Sequence, residues 1–409
     1  MSAPRRRRTD PTAPDFDELL AAKEILVLCG SGGVGKTSVA AATGLVAATR
    51  LGAKVLVLTV DPARRLATAL GLEALGNRAH RVPDDVLTRV GLEARGELWA
   101  AQLDTKQSWD DLVLSNARDE EQAYRILENR LYHNLTARFV QSHDYIAMER
   151  LHAVHATGAY DLIVVDTPPS RNAIDFLEAP RRMADFFGGR LLRWLTLPYR
   201  AGGRRASRVV NVASRPFYQV ADRLLGGKFL QDIAEFFLEF QSMYDGFVER
   251  ATAVERLLHD RRTTFVVITT LEAAPLHEAE RFCKELIARD FHLGAMVLNK
   301  TLPDFFLDPQ GDAAAEAFGD GADELAVALA TAPDAGAALG QPERTARVLR
   351  TIAESFRNFA VVAKRETELR SELARVPEVV VRVPMLDAEV SDVEALAAIG
   401  RHLVGTIRP

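Results

Sequence analysis

Short, almost continuous apolar runs recur along the chain, separated by longer stretches in which apolar residues repeat every three or four positions. Such runs are typical of parallel strands buried on both faces, and the longer repeat is typical of helices that cover a sheet. Strands are predicted over residues 24–29, 54–60, 98–103, 160–166, 264–269, 294–299 and 378–383. Helices are predicted over residues 276–289, 344–375 and 393–404. The pattern predicts an α/β fold with a mostly parallel central sheet flanked by helices.

Between these runs, residues 181–262 have helical spacing and many aromatic side chains. Apolar residues at three- and four-residue steps mark one helical face of this stretch. They are Phe229, Ile233, Phe236, Phe240, Met243 and Phe247. We interpret residues 181–262 as an inserted helical subdomain. The marked face fits internal core or a dimer contact, and alternatively a groove for an apolar client segment.

The sheet domain is accordingly predicted in two parts, residues 23–180 and 263–409, with a largely helical segment at about 106–157. Residues 304–342 are rich in alanine, glycine and aspartate, which favours a mobile insertion. Residues 1–22 contain a run of four arginines and are predicted to form a flexible basic tail.

Composition narrows the classes of function. The net charge of −5 over 409 residues is mild and evenly spread, which argues against a nucleic-acid surface. No run approaches the roughly eighteen apolar residues of a membrane span, and no apolar region follows the arginines as in a signal peptide. We therefore expect a cytoplasmic protein that is not integral to a membrane. The two cysteines, Cys29 and Cys283, are expected to be buried apolar residues.

The stretch CGSGGVGKTS, residues 29–38, fits the pattern G-x-x-x-x-G-K-[ST], with Gly30, Gly35, Lys36 and Thr37 in register. A predicted strand precedes it and an alanine-rich helix follows, which is the context that the motif requires. Such a loop turns backbone N–H groups inward around a phosphate. Lys36 is expected to reach the β- and γ-phosphates of ATP, and Thr37 to ligate Mg²⁺. The predicted nucleotide-binding residues of the loop are Gly30, Ser31, Gly32, Gly33, Val34, Gly35, Lys36, Thr37 and Ser38.

Two aspartates follow other predicted strands. Asp61 precedes Pro62, and Asp166 closes the strand of residues 160–166. Ligands gather at the carboxyl ends of parallel strands, so both carboxylates are expected to face the loop. Asp61 is predicted to orient or deprotonate the attacking water, a role compatible with capping the next helix. Asp166 is predicted to support the metal, and residues 167–170 to form a loop that senses the γ-phosphate.

The loop glycines, Asp-Pro-Ala at 61–63 and Asp-Thr-Pro-Pro at 166–169 together resemble the ArsA family. This family includes the arsenite-pump ATPase and the guided-entry ATPase that carries tail-anchored membrane proteins. Asn299 with Lys300, and Pro384 in Val-Pro-Met-Leu at 383–386, resemble its adenine-side residues. The resemblance implies a P-loop NTPase of the deviant Walker A class, with ATP and Mg²⁺ as cofactors, that works as a dimer. It is strongest to actinobacterial ArsA-like ATPases that occur as two paralogous chains.

One position departs from that family in a way that affects the dimer. The family loop reads K-G-G-x-G-K-[ST], and its first lysine crosses to the partner's phosphates, whereas this chain has Ser31 there. A hydroxyl cannot neutralise phosphate charge. We therefore favour a heterodimer with a paralogue that carries the lysine. In a homodimer, hydrolysis is expected to be slow unless Arg64 or Arg65 substitutes.

Other departures limit what the resemblance implies. Arg171 and Asn172 replace the Gly-His of the family's switch loop, and the C-x-x-C zinc site is missing. Two cysteines cannot supply the thiolates of an arsenite site, which argues against arsenite transport. The cargo stays open, with a hydrophobic or tail-anchored protein segment as one candidate. Three alternatives remain: a positioning or partition ATPase, a metabolic kinase or synthetase, and a nucleotide-binding subunit with little hydrolysis of its own.

Overall fold

A computed structural model describes residues 15–61, 64–129, 131–133, 136, 140–167, 178–179, 181–182, 185, 236–239, 243–332, 341–372, 377 and 379–404. In this part of the chain one sheet has the strand order β3-β4-β2-β5-β1-β6-β7-β8. The strands are β1 Ile25–Cys29, β2 Lys54–Thr59, β3 His80–Arg81, β4 Glu97–Gln102, β5 Leu162–Asp166, β6 Thr263–Thr269, β7 Leu293–Thr301 and β8 Val379–Pro384. Neighbouring strands are parallel except β3 and β4. The prediction of an α/β fold with a mostly parallel sheet is confirmed.

Helices cover both faces of the sheet. They are α1 Phe16–Ala21, α2 Lys36–Arg50, α3 Arg65–Ala69, α4 Asp84–Arg89, α5 Thr105–Asn116, α6 Glu120–Leu127, α7 Val140–Ala156, α8 Tyr244–His259, α9 Ala273–Ala288, α10 Pro309–Asp320, α11 Ala322–Thr331, α12 Pro342–Glu372 and α13 Val393–Leu403. Alternate residues of β1 enter opposite cores: Leu26 and Leu28 pack with α2, whereas Val27 and Cys29 pack with α9. Strands buried on both faces explain the continuous apolar runs.

Strand register aligns the carboxyl ends of the three central strands. Leu28 of β1 and Thr59 of β2 both pair with Asp166 at the end of β5. All seven predicted strands are present, with ends shifted by at most two residues. The two-residue strand β3 was not predicted because it is too short to carry a periodic pattern.

The prediction of a flexible tail over residues 1–22 is wrong for its last part, which contains helix α1. The Asp15 side chain caps the helix by accepting a hydrogen bond from the Glu18 N–H at 2.9 Å. Phe16 and Leu20, one turn apart on the same face, are buried in the core beside α2. Burial of these two large apolar side chains, together with the cap, offsets part of the entropy cost of ordering this short segment. Residues 1–14 lie outside the described part of the chain.

The prediction of a mobile insertion over residues 304–342 is also wrong where the chain is described. A 3₁₀ turn at Asp304–Leu307 is followed by helices α10 and α11, which pack against α12. The Asp308 side chain caps α10 by accepting from the Gln310 N–H at 2.9 Å. Ala322 and Ala326 are buried against α12. The alanines that favoured a loop are instead small residues that let helices approach closely.

The predicted helical subdomain, residues 181–262, is described in part. Its last segment is helix α8, and Phe236 and Met243 of the predicted apolar face are buried in the core. For these two residues the interpretation as internal core applies. Phe229, Ile233, Phe240 and the Phe247 side chain lie outside the described part of the chain. Among the described helices, none combines the length and apolar character needed to cross a membrane.

Candidate nucleotide-binding site

Residues 30–35 form a tight loop between β1 and the start of α2, as the motif predicts. Gly30 and Gly35 have φ of 156° and 93°. A Cβ at Gly30 would lie 2.1 Å from the Ile268 carbonyl oxygen, and one at Gly35 would lie 2.3 Å from the Asn299 amide nitrogen. Only glycine fits both positions without displacing a neighbour. The loop is therefore held closely between β6 and β7, at the N-terminus of a long helix that favours bound anions.

Gly35→Ala is expected to lower the free energy of unfolding by about 2–3 kcal/mol, because φ strain adds to a lost hydrogen bond from the displaced Asn299 amide. Gly91 is a matched control, since its φ is 75° and a Cβ there would meet nothing within 4 Å. Gly91→Ala should cost only the φ strain, about 1–2 kcal/mol. Urea denaturation measures both losses, and equal losses would contradict the close fit of the loop.

Lys36 is the first residue of α2, and its ammonium group is folded over the loop. Its Nζ donates hydrogen bonds to the carbonyl oxygens of Gly30 and Ser31, both at 2.9 Å. The residue is only 7% exposed. Burial lowers the pKa of Lys36, and the nearby Asp166 carboxylate opposes that shift. The ammonium group is thus fixed where phosphate oxygens can replace the two carbonyl oxygens as its partners.

Asp166 lies at the end of β5 and is 1% exposed. Its Oδ2 accepts hydrogen bonds from the hydroxyls of Thr37 at 2.7 Å and Thr59 at 2.8 Å. Burial raises the pKa of Asp166, and the two hydroxyl donors oppose that shift. Its Oδ1 is buried and has no hydrogen-bond partner among the described residues.

The oxygens of Thr37 and Asp166 suit a hard divalent cation such as Mg²⁺. Because Thr37 donates its proton to Asp166, lone pairs of the hydroxyl oxygen remain for a metal. The unpartnered Asp166 Oδ1 suits a metal-bound water, since a buried carboxylate oxygen without a donor is costly. Together the two predicted metal residues, Thr37 and Asp166, are brought into direct contact.

Asp61 follows β2 and lines the same cleft as Lys36 and Thr37. Its backbone is fixed on both sides: the N–H donates to the Thr59 hydroxyl at 3.2 Å, and the carbonyl accepts from Gln102 Nε2 at 3.0 Å. The three predicted catalytic residues, Asp61, Lys36 and Asp166, therefore lie on one site. The predicted γ-phosphate-sensing residues 168–170, with Arg171 and Asn172, lie outside the described part of the chain, as do Pro62 and Ala63.

A cleft of about 1140 Å³ extends from the phosphate loop across the carboxyl ends of the strands. Its lining includes Gly32, Gly33, Gly35, Lys36, Thr37, Ser38, Asp61, Arg64, Arg65, Asn299, Lys300, Pro384 and Met385. Met385 N–H donates to the Thr301 carbonyl at 2.9 Å, which joins the ends of β7 and β8 into one wall. The strand order places Asp61 on one side of the loop and this wall on the other. The lining thus runs from the phosphate loop to the proposed base-binding residues.

Asn299 lies at the wall formed by β7 and is 5% exposed. Its Nδ2 donates to the Val34 carbonyl at 2.7 Å. A carbonyl can only accept, so the amide nitrogen must face Val34, and the amide oxygen remains as an acceptor. The neighbouring Lys300, with φ of 55°, donates from Nζ to the Gly33 carbonyl at 2.9 Å. These two contacts fasten the loop to β7, and neither was predicted.

Ser31 is half-buried, and its hydroxyl oxygen is buried without a hydrogen-bond partner among the described residues. The side chain therefore adds no hydrogen bond among the described residues and no charge. The role of Thr59 as a hydrogen-bond donor to Asp166 was not predicted from the sequence. A polar residue at the end of an apolar strand, two positions before Asp61, was the signal that could have identified it.

Comparison with known proteins agrees with the resemblance to the ArsA family. The sequence model of the family described as anion-transporting ATPase, ArsA_ATPase, matches residues 23–312. An uncharacterized protein of Streptomyces coelicolor is 30% identical over 280 residues, covering 68% of this chain and 63% of that protein. A putative arsenical pump-driving ATPase of Aquifex aeolicus is 22% identical over 292 residues, covering 68% of this chain and 64% of that protein. The chain thus matches less than two thirds of the length of these two relatives.

Proposed function

Because the chain belongs to the ArsA family of anion-transporting ATPases, we propose that it is a Mg²⁺-dependent ATPase in which ATP hydrolysis opens and closes a dimer. The observation that carries this proposal is the contact between Thr37 and Asp166 at 2.7 Å, beside a buried lysine in a glycine-rich loop. A glycine-rich turn without a ligand would have no reason to bury a lysine and a carboxylate together.

Each residue of the site has a role in this reaction. Lys36 and the loop N–H groups bind the β- and γ-phosphates and stabilise charge that develops there. Thr37 and Asp166 hold Mg²⁺, which neutralises phosphate charge when bound. Asp61 orients the attacking water and accepts its proton. Asn299 and Pro384 bind the adenine from the wall of β7 and β8.

For the assembly, we propose a heterodimer with a paralogous chain that carries lysine at the position of Ser31. The support is the absence of charge on Ser31, whose hydroxyl contacts no donor or acceptor among the described residues. A lysine from the partner would complete this chain's site, whereas Ser31 would leave the partner's site short of charge. A homodimer is the alternative. In the heterodimer, this chain's site would hydrolyse ATP well, and the partner's site would mainly bind it.

Four relatives are named as putative arsenical pump-driving ATPases, but arsenite is not the cargo we propose here. Cys29 and Cys283 are both buried. Burial raises the pKa of each thiol to about 12, and the thiolate is the form that binds metals and metalloids. The aromatic residues of 181–262 favour a hydrophobic or tail-anchored protein segment instead.

The direct test is to measure ATP binding and phosphate release by the purified chain, with Mg²⁺ and with a chelator. Lys36→Ala should weaken ATP binding by about tenfold or more, because a buried charged hydrogen-bond donor is lost. Lys106→Ala is the control, since Lys106 pairs with Asp110 on α5 and does not line the cleft. Failure of the wild-type chain to bind ATP would refute the proposal.

The same assay separates the alternatives. A kinase or synthetase would release ADP only when its second substrate is added. A nucleotide-binding subunit would bind ATP without releasing phosphate, even with a partner present. A partition or positioning ATPase would be stimulated by DNA or by lipid vesicles.

The orientation of Asn299 predicts a preference for adenine. Its free amide oxygen can accept a hydrogen bond from the amino group of adenine. With guanine the same oxygen would face the O6 atom, which is also an acceptor, so no hydrogen bond could form. We expect Asn299→Ala to reduce the ratio of ATP to GTP affinity by about tenfold. Asn358→Ala, on the exposed side of α12, is the control. The ratio is the informative readout, because damage to the loop alone would weaken both nucleotides equally. An unchanged ratio would show that Asn299 does not read the base.

A further inference from the structure

Two adjacent arginines line the cleft. Arg64 and Arg65 are exposed, line the cleft, and form no ion pair with any described carboxylate. Other surface arginines differ: Arg89, for example, pairs with Asp85 on the same helix. Two adjacent guanidinium groups that have no carboxylate partner among the described residues leave a positive charge at the cleft that an anion can neutralise.

The short helix α3 fixes where these arginines lie. Leu66 and Ala69 are buried at 1% and 5% exposure and anchor α3 in the core beside α2. The Thr68 N–H and hydroxyl both donate to the Arg64 carbonyl, at 2.9 and 3.0 Å. The buried side of α3 thus faces the core, and Arg64, Arg65 and Thr68 lie on the side that lines the cleft.

Strand order places this helix at the phosphate end of the cleft. β2, which leads into Asp61 and α3, lies on the side of β1 that also holds β5 and Asp166. The proposed base-binding wall of β7 and β8 lies on the opposite side of β1. A nucleotide with its base at Asn299 and its β-phosphate at Lys36 therefore points its terminal phosphate toward Asp61 and α3.

We propose that Arg64 and Arg65 bind the terminal phosphate of the chain's own ATP and supply positive charge there from within one subunit, in addition to the charge of the partner's lysine; this rests on the proposed ATPase function. In the reaction, a water oxygen bonds to the γ-phosphorus as the bond to the β–γ bridging oxygen breaks. The electron pair of that bond leaves with ADP, and the water proton passes to Asp61 and then to solvent. The guanidinium groups stabilise the charge on the terminal phosphate during this transfer.

The test compares Arg64→Ala/Arg65→Ala with Arg89→Ala, an exposed arginine that does not line the cleft. Phosphate release by the chain alone should fall by about 10- to 100-fold in the double variant and stay unchanged in the control. Affinity for ADP with aluminium fluoride, which mimics the transferring phosphate, should fall by the same factor. Affinity for ADP alone should change by less than about threefold, since ADP lacks the terminal phosphate.

Arg64→Lys/Arg65→Lys should recover part of the lost turnover, because it keeps the charge and loses only the bidentate geometry. The proposal is overturned if the alanine variant turns over ATP as the control does, or if it loses ADP and ADP–aluminium fluoride affinity equally. Wild-type protein that binds no ATP would instead refute the proposed function. If the wild-type chain hydrolyses ATP and the double alanine variant does so at the same rate, only the inference about Arg64 and Arg65 is refuted, and the proposed ATPase function stands.

Discussion

Asp61→Asn is expected to reduce steady-state ATP hydrolysis by about 10²- to 10⁴-fold, the contribution typical of a positioned proton acceptor. Asparagine keeps the shape of the side chain but cannot take a proton from water. The backbone of Asp61 is fixed by Thr59 and Gln102, so the substitution should leave the surrounding loop in place. ATP affinity should therefore stay within a few-fold of wild type, because Lys36, Thr37 and the loop N–H groups are unchanged.

Phosphate release and equilibrium ATP binding measure these two expectations separately. Asp85→Asn is the control, because Asp85 pairs with Arg89 on the exposed surface of α4. A variant that hydrolyses ATP at nearly the wild-type rate would remove Asp61 from the mechanism. Parallel loss of binding and hydrolysis would show that Asp61 holds the nucleotide rather than the water.

Ser31→Lys is expected to raise ATP turnover by the chain alone by about 10- to 1000-fold, since a cation supplied across an interface can be worth several orders of magnitude. The Ser31 hydroxyl has no hydrogen-bond partner among the described residues, so its loss removes no contact there. A lysine at this half-buried position can extend its charged group to solvent while its aliphatic stem lies along the loop. Because this charge acts on a second subunit, the gain should increase with protein concentration.

Two further variants separate the effect of the lysine charge from the effect of side-chain size. Ser31→Met introduces a chain of similar length without charge, and Ser31→Ala removes only the hydroxyl. Both should leave turnover at the wild-type level. A gain in Ser31→Met equal to that of Ser31→Lys would attribute the effect to loop shape, and no gain in Ser31→Lys at any concentration would contradict the role assigned to this position.

The sheet and the phosphate loop could be predicted because their signals are local. Each buried strand is a short apolar run, and the loop motif needs only a strand before it and a helix after it. Asp61 and Asp166 could be placed beside the loop because parallel strands end at one edge. The structure brings Asp166 into contact with Thr37, as that reasoning requires.

Contacts between distant segments could not be predicted. The Thr59–Asp166 hydrogen bond depends on β2 lying beside β5, and the sequence does not contain the strand order. The contact of Lys300 with Gly33 joins β7 to the loop in the same way. Alanine-rich composition was ambiguous too, because the two helices described within residues 304–342 pack against α12, and that packing is not visible in the local sequence.

The most direct test of the central claim is ATP turnover by this chain mixed with a paralogue that carries the loop lysine. We predict that mixing raises turnover well above the sum of the separate chains, and that replacing the partner's lysine with alanine abolishes the gain. Rapid hydrolysis by the isolated chain as a symmetric dimer, unchanged by the partner, would contradict the claim that the charge missing at Ser31 comes from a non-identical subunit.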